Sequence, residues 1–258
     1  MRKSTTLSAL VLLLGTLGCR QGDNVAAPQK SQSPRTALEW ASEGARLRKL
    51  DQKEEAVKAY DEAIKLDPNL EAADYNRALI YAELGRDAEA AATRDRLLER
   101  KSALGKKLQG LLALTAAANV SMADGHVEAG EWDLALKKYK VALTYAPDSS
   151  DAHVGLGLVC LGQKKYDEAI VEFDRAIKRD PVSAIAHHNR GIANRERRQF
   201  KMAIADFTKA MELDPANPQT YVARAGAYEG LGDTAMAAKD RKKAAQLERK
   251  KEQRQKTR

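Results

Sequence analysis

The stretch that decides the fold is residues 147–181, which read PDSSDAHVGLGLVCLGQKKYDEAIVEFDRAIKRDP. Its first and last prolines lie 34 residues apart, and Pro215 follows at the same interval. The same step relates further positions, namely Ala135, Ala169, Ala203 and Ala237, then Ala142, Ala176, Ala210 and Ala244, and also Gly157 and Gly191. A fixed period of this length is the sequence signature of a stacked-repeat architecture.

Each period is expected to contain two helices. Small and apolar side chains recur at the spacing of one helix face in residues 150–162, and a second such face follows in residues 166–178. Asp180-Pro181 ends the second helix, because proline cannot continue a helix and disfavours helical backbone at the residue before it. One helix pair cannot bury such faces alone, so the sequence predicts that the pairs stack.

These motifs resemble the tetratricopeptide repeat family. The family pattern is carried by Leu156-Gly157, Ala169, Phe173, Ala176 and Pro181, by Gly191, Ala203, Phe207, Ala210 and Pro215, and by Ala135, Tyr139, Ala142 and Pro147. The resemblance implies an all-α fold, a right-handed helical-repeat solenoid of about six helix pairs over residues 36–249. An excess of eleven residues falls near 101–115. It is expected to lengthen the helices there with Gly105 or Gly110 at a bend, although drift in a tolerant connection is the alternative.

Composition argues against several classes of function. The formal net charge of +8 comes from two ends of the chain, since residues 239–258 hold ten Lys/Arg against three acidic residues and Arg2 and Lys3 add two more. The rest of the chain is nearly neutral and therefore gives no nucleic-acid signal. Two cysteines cannot form a disulfide scaffold or a cysteine-built zinc site. No phosphate loop, Ser/His/Asp arrangement or HExxH pattern occurs, so we predict a protein without catalytic residues, metal or cofactor.

The amino terminus is typical of an exported protein. Arg2 and Lys3 precede the apolar run Leu7–Gly18, which is too short to span a bilayer and reads as a signal peptide over residues 1–18. Leu17-Gly18-Cys19 resembles the bacterial lipobox, which implies that Cys19 is acylated and that residues 19–35 form a flexible tether. The alternative is an ordinary secretory signal with an incidental cysteine.

The resemblance to the lipobox implies a cellular location. It predicts a lipid-anchored protein of the bacterial cell envelope that faces the periplasm, and Arg20 after the cysteine favours the outer membrane if the organism is Gram-negative. Six-repeat lipoproteins that act as pilotins for type IV pilus secretins are similar in layout. A soluble secreted or periplasmic binding module without lipidation remains the alternative.

The repeat resemblance also implies a binding surface. In the family, one face of the first helix of each unit lines a concave groove that binds a protein or peptide. The matching positions here are Tyr75, Asn76, Leu79, Asp124, Val154, Leu158, His188, Asn189, Ile192 and Arg195. Asn76 and Asn189 match the groove asparagine that pairs a ligand backbone, whereas the lysines that clamp heat-shock chaperone tails are missing. The alternative is that this face packs against a neighbouring helix or the chain's own tail.

The last feature is a basic tail at residues 250–258. It continues the last helix and is expected to fray beyond about Arg249. A solvating cap for the end of the solenoid is one role, and contact with anionic lipid or an acidic partner is another. Nucleic acid is excluded as a partner, because the tail has no interleaved aromatic residues.

Overall fold

The computed structural model describes residues 35–256 of the 258-residue chain. The predicted signal peptide, Cys19 and nearly all of the predicted tether lie outside the described residues. Within them, all regular secondary structure is α-helical, as predicted. The twelve helices are α1 (Ala37–Lys49), α2 (Lys53–Leu66), α3 (Glu71–Glu83), α4 (Asp87–Glu99), α5 (Ala103–Glu128), α6 (Trp132–Tyr145), α7 (Ser150–Gly162), α8 (Tyr166–Arg179), α9 (Ala184–Glu196), α10 (Phe200–Leu213), α11 (Pro218–Gly230) and α12 (Thr234–Lys256).

Consecutive helices pack as six pairs, which confirms the predicted repeat solenoid. Each odd-numbered helix also contacts the next odd-numbered helix, from α1 against α3 to α9 against α11. Among the even-numbered helices of the described chain, only α4 and α6 contact each other. The odd-numbered helices therefore form one continuous layer, and its side away from the even-numbered helices is called the odd-helix face below.

Every turn within a pair contains one residue with left-handed backbone. Three of these residues are glycines, Gly85, Gly130 and Gly232, and three are not, Asp51, Lys164 and Arg198. Lys101 adopts the same conformation between α4 and α5, where the repeat lacks its closing proline. A left-handed residue thus ends α4 in place of proline, and the Ser102 side chain caps the start of α5.

The extra residues lengthen one helix only. Helix α5 has 26 residues, against 13 for α3 and α7, and it runs without interruption through Gly105 and Gly110, so the predicted bend is not a break in the helix. Buried Leu108 and Leu112 give the added turns an apolar face. Gly105 lies where α5 crosses α4, since a Cβ there would be 2.8 Å from the Leu97 carbonyl carbon.

The predicted fraying of the last helix beyond about Arg249 is wrong. Helix α12 continues to Lys256 and does not end near Arg249. Its last residues are Glu, Lys, Arg and Gln, which lose little conformational freedom in a helix. None of the helices in the described range 35–256 is both long and apolar enough to be a candidate membrane span.

Aromatic rings facing glycines pack between the two helices of three pairs. Phe173 and Phe207 are fully buried, and their rings lie where a side chain on Gly157 or Gly191 would be. Tyr60 fills the same place beside Gly44 in the first pair. Each ring removes apolar area from water at ~25 cal/mol per Å², and the missing Cβ makes this close approach possible.

Arginines at one repeat position join successive pairs. Arg77 reaches back to Asp61, Arg190 Nη1 donates to Asp174 Oδ1 at 2.6 Å, and Arg224 Nη1 donates to Thr208 Oγ1 at 2.9 Å. In all three cases the partner lies 16 residues earlier, on the second helix of the preceding pair. We call these three residues the stacking arginines.

Candidate protein-binding face

The ten predicted groove residues lie on four consecutive odd-numbered helices. Helix α3 carries Tyr75, Asn76 and Leu79, α5 carries Asp124, α7 carries Val154 and Leu158, and α9 carries His188, Asn189, Ile192 and Arg195. All are half-buried except Asp124, which is exposed. Because these helices contact one another in sequence, the predicted residues lie on adjacent helices across the odd-helix layer, and we call them the row.

Helices α7 and α9 supply the most apolar part of this row. Val154 and Leu158 pack at the edge of the buried cluster that contains Phe173, and Ile192 packs at the edge of the cluster that contains Phe207. Their outer parts remain accessible, and Ile185 on the same helix as Ile192 is 63% exposed. An apolar side chain arriving here would complete the burial of these residues.

His188 has a packing role. Its Nδ1 lies 3.0 Å from Thr220 Oγ1 on α11, and its ring is tilted 59° against the Phe207 ring with the centroids 5.6 Å apart. Burial, and secondarily the charge of Arg195, lower the pKa of His188. The imidazole is therefore held neutral between the fifth and sixth pairs, where it extends the apolar surface.

The Asn189 side chain differs from what the resemblance implies. Its Nδ2 donates to the Ile185 carbonyl oxygen at 3.0 Å, one turn earlier on the same helix. One amide donor is thus committed to the chain's own backbone, and only the second donor and the carbonyl oxygen are left for a ligand.

The row continues on α3 with an aromatic residue. Tyr75 and Leu79 pack at the edge of the largest buried cluster, and burial raises the pKa of the Tyr75 hydroxyl. The ammonium group of Lys107, on the lengthened part of α5, lies 5.6 Å from the centre of the Tyr75 ring. The long helix thus brings a cation beside this end of the face.

Asp124 is the one carboxylate in the row, and it has a partner. Its Oδ1 accepts a hydrogen bond of 2.5 Å from the hydroxyl of Tyr139, a fully buried residue of α6. Burial and this hydrogen bond raise the pKa of Tyr139. Asp124 therefore positions the Tyr139 ring and presents only part of its charge to a ligand.

Charged residues near the carboxyl-terminal ends of α1, α9 and α11 have ion-pair partners, whereas Glu128 at the end of α5 has none among the described residues. Arg48 of α1 bonds Glu83 of α3, Arg195 Nη2 donates to Glu196 at 2.9 Å, and Glu229 of α11 accepts from Arg241 at 2.7 Å. These pairs reduce the net charge beside the row of predicted residues.

Two exposed apolar residues belong to the same face, and of these only Val222 was not predicted from the sequence. Val222 on α11 is 39% exposed, and Ile185 on α9 is more exposed still. The 34-residue step leads from Val154 to His188 and then to Val222, so the repeat itself was the signal that identifies it.

The described part of the chain shows little that indicates a metal site or a reactive nucleophile. Among residues 35–256, no group of three or more His, Cys, Asp and Glu side chains is arranged to hold a metal ion. Burial raises the pKa of the Cys160 thiol, which lies in the packing interface of α7. A thiol of raised pKa is a poor nucleophile.

Family models match three parts of the chain. A tetratricopeptide repeat model matches residues 120–176, a TPR repeat model matches residues 44–85, and a second tetratricopeptide repeat model matches residues 184–217. No curated protein matches the chain in sequence.

Solved structures are similar to the chain at low sequence identity. A crystal structure of MamA is 21% identical over 81% of this chain and 96% of its own, with a TM-score of 0.45. The APC/C hetero-tetramer Cut9–Hcn1 is 17% identical over 82% of this chain, with a TM-score of 0.50, and the match covers 40% of that chain. At these identities the likeness concerns the helical-repeat fold alone.

Proposed function

Because the chain is a tetratricopeptide repeat protein, we propose that it is a non-catalytic scaffold of the bacterial cell envelope that binds a protein segment on its odd-helix face and is anchored by lipid on Cys19. The observation that carries the binding proposal is the set of half-buried and exposed apolar side chains on α7, α9 and α11. Protein–protein interaction is the role to which this fold is suited.

The chemistry of the face narrows the kind of segment. Leu158, Ile192, Ile185 and Val222 are accessible and apolar, and Arg195 and Glu229 on α9 and α11 are paired. An amphipathic helix or an extended segment with alternating apolar residues buries such side chains without leaving a charge unpaired. We therefore propose that apolar contacts supply most of the affinity and that Asn189 contributes to orientation.

The binding proposal is tested by replacing the exposed apolar residues of the face. Ile185→Gln/Val222→Gln removes two contacts that do not support the fold, so binding of the partner is expected to weaken by roughly 1–3 kcal/mol, or about 5- to 150-fold. The partner is first crosslinked through a photoreactive residue at position 185 and identified by mass spectrometry, and its Kd for each variant is then measured.

A matched control comes from the even-numbered helices. Val171→Gln/Met202→Gln changes two residues of similar exposure, 48% and 55%, on α8 and α10. This variant is expected to bind like the wild type, and both variants should keep the wild-type circular dichroism. Equal loss of affinity in the two variants, or none in either, would remove the odd-helix face as the binding site.

The anchoring part of the proposal rests on residues 1–35. The apolar run Leu7–Gly18 is too short to span a bilayer, and Gly18-Cys19 matches the lipobox. A lipidated cysteine carries several acyl chains, and each buried CH₂ contributes about 0.8 kcal/mol to membrane binding.

Cys19→Ala is therefore expected to abolish membrane retention. Cys160→Ala is the matched control, because it removes the other cysteine of the chain from a buried position. The wild type and Cys160→Ala should incorporate radiolabelled palmitate and sediment with membranes after a high-salt wash, whereas Cys19→Ala should do neither. A wild-type protein that is unlabelled and fully soluble would instead establish the soluble periplasmic or secreted module.

A further inference from the structure

Helix α5 has an exposed apolar face that the repeat does not explain. Leu114 is 70% exposed, Met122 54% and Leu111 36%, all on the side of α5 away from its buried residues. Helices α3 and α7, which flank α5 in the odd-helix layer, carry no large apolar residue that is exposed. Contiguous apolar surface that stays in contact with water is typical of a protein interaction site.

The exposed residues of α5 follow a seven-residue pattern. Positions 107, 111, 114, 118, 121, 125 and 128 are separated by alternating steps of four and three, and they carry Lys, Leu, Leu, Ala, Ser, Gly and Glu. Every one of these residues is exposed. Such steps keep side chains on one stripe of a helix, which is the spacing by which two helices pack along their length. We call these residues the α5 stripe, and it is roughly 32 Å long.

Side-chain size differs between the two halves of the α5 stripe. Leu111 and Leu114 lie in the first half, and Ser121 and Gly125 lie in the second. Among the described residues, nothing lies within 4 Å of the place that a Cβ on Gly125 would take, so a side chain from outside has room there. When two copies of the stripe pack antiparallel about Ala118, Leu111 meets Gly125 and Leu114 meets Ser121 of the other copy. Large side chains then cover small ones, whereas a parallel pair sets leucine on leucine and glycine on glycine.

The charges at the two ends of the α5 stripe are also complementary. Lys107 begins the stripe and Glu128 ends it, and neither forms an ion pair with a described residue. The nearby carboxylate of Asp124 already accepts a hydrogen bond from Tyr139. Antiparallel packing brings Lys107 of each copy to Glu128 of the other, whereas parallel packing brings like charges together. Charge complementarity of this kind fixes the orientation of two partners.

We propose that the α5 stripe is the contact surface of a homodimer, in which a second copy of this chain packs its α5 antiparallel on the first. Ala118 lies at the two-fold axis, where its small side chain lets the two helix axes approach to about 8 Å. A symmetric dimer uses the same surface of both copies, so that surface must complement itself, as the α5 stripe does in size and in charge. The dimer goes beyond the proposed function, which rests on side chains of α7, α9 and α11, and the two can fail separately.

Sedimentation equilibrium of the purified full chain tests the dimer. Every protein carries Cys19→Ala, so that acyl chains do not drive association. The chain is expected to form a reversible dimer, and Leu114→Gln is expected to raise the dimer Kd at least about tenfold, since both copies of the leucine lose their contact. Leu134→Gln is the matched control, because Leu134 is a 49% exposed leucine of α6. It should leave the Kd within about twofold.

Charge reversal tests the register of the two helices. Lys107→Glu and Glu128→Lys are each expected to raise the dimer Kd at least about tenfold, because each change sets two pairs of like charges against one another. Lys107→Glu/Glu128→Lys restores opposite charges across the antiparallel contact. Its Kd should therefore return to within about threefold of the value without these changes, and all variants should keep the wild-type circular dichroism.

Single cysteines test the orientation. Ala118→Cys is expected to give a disulfide-linked dimer on mild oxidation, because the two cysteines meet at the two-fold axis. Ser121→Cys is the matched control on the same stripe. In the antiparallel pair its two copies are about 9 Å apart along the helices, and with the separation of the axes this exceeds the ~7 Å between Cα atoms that a disulfide spans. It should remain uncrosslinked.

Four outcomes would overturn the proposal. A chain that stays monomeric at every concentration reached, or a dimer that Leu114→Gln does not weaken, would exclude the α5 stripe as a dimer contact. Failure of the double charge reversal to restore the dimer, or equal crosslinking of both cysteine variants, would exclude the antiparallel arrangement. If the chain is monomeric and a photoreactive residue at position 114 captures a different protein, that protein and not a second copy is the occupant.

Discussion

Arg190→Met is expected to lower the free energy of unfolding by about 3 kcal/mol or more, because breaking one side of a buried ion pair leaves an uncompensated charge. Arg190 holds the carboxylate of Asp206 through two nitrogens, at 3.1 and 2.5 Å, and also reaches Asp174 of the preceding pair. Asp206 is 6% exposed, so water cannot replace the guanidinium. Chemical denaturation followed by circular dichroism measures the loss.

Two further variants test whether the uncompensated charge causes the loss of stability. Arg179→Met removes an arginine whose pair with Asp148 is exposed on both sides, and its effect should stay within about 0.5 kcal/mol. Arg190→Met/Asp206→Asn removes the charge that the first change left behind and keeps an acceptor for the Asn194 amide. This double variant should be more stable than Arg190→Met. If the added Asp206→Asn lowers stability further, a buried unpaired charge is not the reason for the loss.

The stacking arginines also show what the sequence could not reveal. The 34-residue step joins Arg190 to Arg224 and Asp206 to Asp240, so the pattern is visible in the sequence. Charged residues at one repeat position, however, look the same whether they are solvated or buried. Only the placement of α9 against α8 and α10 brings Arg190 between two carboxylates.

The helix pairs were predictable, because the apolar spacing recurs from pair to pair and three of the pairs repeat the same aromatic–glycine contact. The geometry of individual side chains in the binding face was not predictable from the sequence. Asn189 matches the family position, yet its amide donates to the backbone carbonyl of Ile185. The spacing of residues in the sequence does not determine which acceptor a side chain uses. The lengthened helix was anticipated as an irregularity, but its unbroken course through Gly105 and Gly110 depends on how it crosses α4.

Tyr139 is a similar case at the junction of the third and fourth pairs. Phe173 and Phe207 each cover a glycine of their own pair, whereas the Tyr139 ring covers Gly155 of the next pair. Gly155 has no counterpart 34 residues away, since residues 121 and 189 are Ser and Asn. The period therefore does not mark it, and its importance follows only from the contact.

Gly155→Ala is expected to destabilise the chain by about 2–3 kcal/mol, because a methyl group there overpacks a site that has no room. Its Cβ would lie 2.1 and 2.2 Å from two carbons of the Tyr139 ring, which is fully buried and fixed by its hydrogen bond to Asp124. Gly110→Ala is the matched control inside α5, where nothing lies within 4 Å of the new Cβ. That change should raise stability by about 0.5–1 kcal/mol, since alanine favours a helix interior more than glycine does.

The two substitutions are expected to change stability in opposite directions, so their comparison separates the effect of packing from that of helix propensity. In a Tyr139→Leu background the smaller side chain leaves space for the methyl group, so the cost of Gly155→Ala should fall well below its value in the wild type. Denaturant unfolding of the four proteins measures this coupling. An undiminished cost in the Tyr139→Leu background would mean that the Tyr139 ring is not what excludes a side chain at Gly155, and the junction between the third and fourth pairs would have to be held by other contacts.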